Sequence, residues 1–333
     1  MYDIIAIGNA LVDTEFKITD DTLSATGLTR GNMTLAELDT QNALFATLAQ
    51  AGNSPAKQAG GGSAANSVVA FSALGGRAFY NCRVGGDDMG DFYLADLEKS
   101  GVTTDASVAI DPDGTTGSCV VLVTADGERT MQTHLGTSSQ INENNINFDA
   151  LSGAKWLYLE GYLAMSPSIT TGLAKLRQNA KDQGVKVAVS FADPAVVKFA
   201  RAGLDDMLAG GVDAIFCNLD EAMLYTGADS HERAVQALGQ YATLVVVTNG
   251  DKPTLIAHHG DIISVPSLAV RQVLDTNGAG DNYAGAFLYA LTQGHPLAQC
   301  GRLAAHVSAR IVSQFGPRLS HADYQAIKSE VLG

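Results

Sequence analysis

The chain has 333 residues, 46% of them hydrophobic and 17% charged, which is too apolar for a disordered chain and too long for a small disulfide-stapled scaffold. At roughly 150 residues per domain as a soft guide, one large α/β unit or two smaller ones would fit. Against 35 Asp+Glu stand 21 Lys+Arg, a net charge of -14, so a long polyanion meets repulsion and nucleic acid is not expected as a partner; a small anion can still be held by a nest of backbone N–H groups.

Taken in chain order, the apolar run Asp3–Gly8 reads as a strand. No basic segment precedes it, and no uninterrupted apolar stretch approaches the ~18 residues that cross a bilayer, so a cytoplasmic protein without a membrane partner is expected. Residues from about 14 to 34 carry β-type runs, and Ser63–Leu74 spaces its apolar residues as a helix does. Residues 107–135 contain Cys119-Val120-Val121-Leu122-Val123 between turns at Asp113-Gly114 and Asp126-Gly127, with no evident helix, which argues for antiparallel hairpins. Beyond them, strand-like runs at Lys155–Glu160, Val185–Ser190, Ala214–Cys217 and Leu244–Thr248 interleave with helical periodicity at Ser168–Gln183, Glu232–Leu238, Ala279–Thr292 and Leu297–Ser313. Continuous apolar strands separated by helices predict a doubly wound, mostly parallel sheet covered on both faces. The two β-rich stretches, 14–34 and 107–135, then form a small β-sheet lid over a site on the main sheet. With no repeat, low-complexity segment or linker, residues 1–333 read as a single domain. Cys82, Cys119, Cys217 and Cys300 are far apart, form no CxxC or Cys/His motif, and read as buried free thiols.

The strongest chemical signal is Asp275-Thr276-Asn277-Gly278-Ala279-Gly280-Asp281, which runs into the apolar helix. Glycines at a helix start let backbone N–H groups converge where the helix dipole favours an anion. Asp281, in the first turn, can accept a proton from a hydroxyl that attacks a phosphate held there; ordinary helix capping is the plain alternative for this segment in isolation. A second Gly-rich stretch, Gly60-Gly61-Gly62-Ser63-Ala64-Ala65-Asn66, also opens a helix, and Asn9 and Asp13 follow the first strand, at the edge where open α/β sheets bind ligands. Short carboxylate and amide side chains beside exposed amides suit the vicinal hydroxyls of a polyol. No Gly-Lys pair occurs, which removes the P-loop, and Gly8-Asn9-Ala10 does not fit the G-x-G-x-x-G of a dinucleotide-binding turn.

These segments resemble the pfkB, or ribokinase-like, family of carbohydrate and nucleoside kinases over nearly the whole chain. Asp275–Asp281 is similar to its D-T-x-G-A-G-D signature, which implies Asp281 as catalytic base and Gly278, Ala279 and Gly280 as anion hole. By the same resemblance, Asn9, Asp13, Gly61, Gly62, Ser63 and Asn66 hold the substrate, and Asn218 and Glu221 (an N-x-x-E pattern) organise magnesium and phosphate, Glu221 indirectly. Thr248, Asn249 and Gly250 border the nucleotide, and Arg129 reaches the transferred phosphate from the lid. Asp275 matches a position near a monovalent cation, so ATP and Mg²⁺ are implied, and K⁺ with them.

Gly61-Gly62-Ser63-Ala64-Ala65-Asn66-Ser67 and Asn9-x-x-x-Asp13 are most like the bacterial adenosine-kinase-like branch, since Ser63 stands where ribokinases carry Lys. That points to the 5′-hydroxyl of adenosine or a related nucleoside. A sugar kinase acting on ribose, fructose or a sugar acid, and a non-catalytic nucleoside-binding protein, are the other readings. Phe16 and Tyr162 are candidate surfaces for base stacking, and His306 reads as a helix histidine with its hydrogen bonds met inside the protein. Monomer and homodimer are both compatible with the sequence.

Overall fold

In a computed structural model covering residues 1–333, sixteen strands follow one another along the chain: β1 (Ile4–Ile7), β2 (Leu11–Lys17), β3 (Met33–Leu35), β4 (Lys57–Gly61), β5 (Ala78–Asn81), β6 (Val84–Gly85), β7 (Val102–Thr103), β8 (Ile110–Asp111), β9 (Gly117–Val123), β10 (Arg129–His134), β11 (Trp156–Leu159), β12 (Lys186–Ser190), β13 (Val212–Asn218), β14 (Ala242–Asn249), β15 (Lys252–His258) and β16 (Asp261–Val265). Nine of them build the main sheet in the order β16-β15-β14-β13-β12-β11-β1-β5-β7. Pairing is parallel from β14 through β7 and antiparallel only at the β14-β15-β16 edge.

Both faces of this sheet are covered, as the continuous apolar strands require. Along β1, Ile4 and Ala6 point into a cluster of 45 buried residues, and Ile5 and Ile7 into one of 37 on the other face. The larger cluster includes the Ser63–Ala73 and Ala279–Thr292 helices, which pack against each other. Both are apolar nearly all round, as befits helices enclosed between the sheet and further helices. No helix is long and apolar enough to cross a membrane, and the four cysteines are buried and unpaired.

A second, five-stranded sheet runs β3-β10-β9-β2-β4. It departs from the sequence expectation in three ways. Residues 14–34 are not purely β, because Asp20–Thr26 is a helix capped by Thr19 and closed by Gly27 in the left-handed region; residues 107–109 likewise finish a short helix, Ala106–Ala109. The sheet also takes in β4, from outside both predicted stretches. Its pairing is mixed: β9-β10 is the hairpin that Asp126-Gly127 foretold, but β2-β9 and β10-β3 are parallel. The Asp113-Gly114 turn follows β8, which pairs only with β6, so it is not a hairpin turn of this sheet.

Candidate active site

The chain moves outward from β1 in both directions, so β1 and β11 flank the point where strand order reverses, and the loops beyond the strands' carboxyl ends open a crevice there. Asn9 follows β1, Glu160 follows β11, Asp193 lies beyond β12, Asn218 ends β13 and Thr248 lies near the end of β14. All line one cavity of about 610 Å³, which the smaller sheet covers with Leu11, Asp13, Met33, Leu35, Val121 and Met131.

At its centre the N-termini of the two buried helices meet. Ser63 Oγ donates to Asp281 Oδ1 at 2.6 Å and Asn66 Nδ2 to Oδ2 at 3.0 Å. Burial pushes the Asp281 carboxyl up to about 6, against the opposing pull of those two donors and of Arg318. Ser63 and Asn66, expected to grip a polyol, therefore spend these groups on Asp281. Gly278 has φ +75°, and a Cβ there would lie 2.7 Å from Pro317 O, so the loop needs glycine. The N–H groups of Gly278, Gly280 and Asp281 have no acceptor within the protein, whereas that of Ala279 closes a turn on Thr276 O at 3.2 Å. The free amides are thus 278, 280 and 281 rather than the expected 278–280, because a tight turn takes the one between. Nothing lies within 4 Å of a Cβ position on Gly280, which leaves room for a ligand to approach the backbone.

The Asp13 carboxylate makes no hydrogen bond within the protein and faces the cavity, where burial raises it to about 6. Gly62, at φ +99°, packs against Asn9 O so closely that a Cβ would sit 2.2 Å from it. Gly61, by contrast, lies behind the wall, its carbonyl accepting from Tyr93 Oη. Asn218 and Glu221 both line the cavity and cap the Leu219–Thr226 helix reciprocally: Asn218 Oδ1 accepts from Glu221 N, and Glu221 Oε2 from Asn218 N. Burial pushes Glu221 up to about 7.

Other expected residues lie elsewhere. Asn249 and Gly250 form the β14-β15 turn and do not line the cavity; Thr248 does. Arg129 is turned away, its guanidinium on Asp275 at 2.8 Å and Glu15 at 3.2 Å, because two buried carboxylates on its own side claim it. Asp275 accepts from Gly316 N and Asn277 N as well, so its carboxylate ties the Gly-rich loop to the smaller sheet and to the C-terminal segment. Phe16 packs into a separate core with Phe45 and Leu48, since its side of β2 faces away from the cavity; Tyr162 is on the wall, its hydroxyl on Asp193. His306 stands outside the cavity beside Glu330.

Glu160 and Arg318 are among the residues that escaped the sequence reading. Glu160 is fully buried, accepting from Asn9 N, Asn9 Nδ2 and Ala64 N, and burial raises its carboxyl to about 7. Arg318 donates to Asn66 Oδ1 at 2.9 Å and to Asp96 at 2.6 Å. The sequence signal for Glu160 was its place at a strand's carboxyl end; for Arg318, remote in sequence from everything it touches, there was none.

A nest of free amides facing a carboxylate at the switch point of a parallel sheet is an arrangement suited to phosphoryl transfer. The family model of pfkB family carbohydrate kinases matches residues 32–323, and the chain belongs to that family; it is a kinase, a phosphotransferase. It is 26% identical to the adenosine kinase of Saccharomyces cerevisiae over 94% of this chain and 96% of that protein. Among solved structures, adenosine kinase from Sinorhizobium meliloti superposes with a TM-score of 0.88 at 30% identity, covering 99% of each chain. A probable sugar kinase from Rhizobium etli does so with 0.87 at 30% identity, covering 99% of this chain and 98% of that one.

Proposed function

We propose that this kinase transfers the γ-phosphate of ATP to the 5′-hydroxyl of adenosine. The observation that carries the reading is the two-sided cavity: free amides and Asp281 at one place, and beside them an apolar wall of Leu11, Met33, Leu35, Val121 and Met131 large enough to take up a base. A free sugar would leave that wall uncovered. A sugar acid would meet Asp13, Glu160 and Asp281 while the nearby cations, Arg129 and Arg318, are engaged with carboxylates. The similarity to the Sinorhizobium meliloti adenosine kinase supports the same choice.

In this reading Asn9, Asp13 and the Gly62 turn hold the ribose. Asp281 removes the proton as the hydroxyl oxygen bonds to the γ-phosphorus and the bond to the leaving ADP oxygen breaks. The N–H groups of Gly278, Gly280 and Asp281 stabilise the charge on the phosphoryl oxygens. The smaller sheet acts as a lid that excludes water, and so limits ATP hydrolysis. Mg²⁺ would be held chiefly by the phosphates of the nucleotide, with Glu221 and Asp193, both on the wall, as the carboxylates within the same cavity. Once bound, it neutralises phosphate charge. Potassium would sit against backbone carbonyls of the Asp275 loop and of residues 313–320, since the Asp275 carboxylate is already engaged.

The test is ADP release with ATP, Mg²⁺ and K⁺ across adenosine, inosine, guanosine, cytidine, ribose and fructose, with the D281N protein alongside. Turnover confined to adenosine is expected, and D281N should lose it by about 10²- to 10⁴-fold with KM changed only several-fold. Turnover on a free sugar alone would overturn the substrate, and an active D281N would remove Asp281 from the chemistry.

A further inference from the structure

Arg318 lies in the segment between the last two helices, 252 residues from Asn66 in sequence. Its side chain is only 11% exposed. Nε donates to Asn66 Oδ1, one terminal nitrogen donates to Asp96, and the other is buried without a partner. We infer that Arg318 is a positioning residue of this site, one that fixes the orientation of the Asn66 amide and through it the hydrogen bonding of Asp281. The inference rests on the reading of Asp281 as the base.

A guanidinium can only donate and a carboxylate can only accept. Asn66 stands between one of each, so its oxygen must face Arg318 and its nitrogen must face Asp281. Rotating the amide by half a turn would set N–H against N–H on one side and oxygen against carboxylate on the other. With Ser63 on the second oxygen, Asp281 is held by two donors, and neither oxygen can swing away without losing one of them. Take Arg318 away and the Asn66 oxygen loses its buried partner, so the amide is held from the Asp281 side alone and can tilt and shift its N–H relative to that carboxylate. The same segment braces the amide nest: Pro317 packs on Gly278 and accepts from Asn282 Nδ2 at 2.7 Å, and Gly316 N donates to Asp275.

Arg318 also shapes the charge around the site. The Asp281 charge raises Asp13 on β2, Tyr158 on β11, Glu160 and Tyr162 just beyond it, and Glu221 on the far wall, while Arg318 lowers Asp281 and Asp13, with Arg129 acting on Asp13 as well.

The experiment compares R318M and R318K with the parent enzyme in steady-state kinetics with adenosine from about pH 5 to about pH 9, with folding checked by circular dichroism and D281N run beside them. R318M should lose roughly 10- to 100-fold in kcat, as a slightly misplaced reacting group does, with KM for both substrates changed only several-fold. The acidic limb of its kcat profile should move up by about one pH unit, because a nearby cation no longer favours the ionised carboxyl. R318K keeps the charge without the two-pronged fork, so it should leave the limb near its parent position and recover part of kcat; it carries the test if R318M does not fold. A folded R318M with kcat within about twofold of the parent enzyme and an unmoved limb overturns the inference; if R318M does not fold, R318K with kcat within about twofold of the parent overturns it. So does a loss confined to the KM for ATP. D281N with full turnover would instead overturn the parent reading, and the role of Arg318 with it.

Discussion

Four carboxyl groups on the cavity wall are raised by burial: Asp13 and Asp281 to about 6, Glu160 and Glu221 to about 7. Each holds its proton in the folded chain at a pH where the unfolded chain has released it. The folded state therefore binds more protons between about pH 4 and about pH 7, and stability falls as pH rises through that window. Asp3 works in the opposite sense: the Arg77 hydrogen bond lowers it to about 2, so its contribution is complete above the ordinary carboxylate range and is lost only as pH falls toward 2. We expect the melting temperature of the ligand-free protein to drop between about pH 4 and about pH 7, while kcat climbs through an acidic limb near pH 6 as Asp281 ionises. Scanning calorimetry and pH-rate profiles on the same buffers check both. A melting temperature that is flat or rises over that span would mean that the wall carboxylates are better solvated than their burial implies. Individual residues were legible in the sequence where chemistry is local, as in the seven-residue run ending at Asp281. They were not legible where partners are far apart: Glu160 meets Asn9 across 151 residues, and no spacing announces that.

Among the elements, the Asn218-Leu219-Asp220-Glu221 turn shows how capping and site construction coincide. The residues expected to organise magnesium and phosphate also satisfy the first orphan N–H groups of the helix they open. Asn218→Ala removes the cap acceptor and strips buried Glu221 of its 2.7 Å donor. The expected cost is about 1–3 kcal/mol, measurable by urea denaturation, and a variant as stable as the parent would show that solvent replaces the cap. The parallel core strands were readable because both of their faces are apolar. The smaller sheet was harder: β3 has three residues, all exposed, and β4 is Lys57-Gln58-Ala59-Gly60-Gly61, with little β propensity. Such strands exist because β10 and β2 offer them a register, which is information held by the fold and not by the segment. Met33 and Leu35, at 48% and 55% exposure, are apolar side chains left partly open at the cavity mouth, as expected if a base is to cover them.

For the molecule as a whole, the site is a junction of distant pieces: β1, β2 and the Ser63–Ala73 helix from the N-terminal part, β11 to β14 from the middle, and the Gly-rich loop with Arg318 from the C-terminal part. The doubly wound order was foreseeable because it follows from alternating strands and helices, and its reversal beside β1 located the crevice. What holds the pieces at fixed spacing is the crossing of the two buried helices. A Cβ on Gly285 would lie 2.1 Å from Ser67 O, so main chain touches main chain there. Gly285→Ala should cost about 1–3 kcal/mol and also reduce kcat, read by calorimetry and kinetics together; a stable, fully active variant would show that the helices can separate without consequence. Ser67 is one turn beyond Ser63, and Gly285 one turn beyond Asp281. The crossing therefore acts as a rivet, and the distance between the hydroxyl and the carboxylate is set by its thickness. Core side chains can be exchanged for others of similar volume over generations without altering that distance, whereas a single methyl group at the rivet would alter it at once.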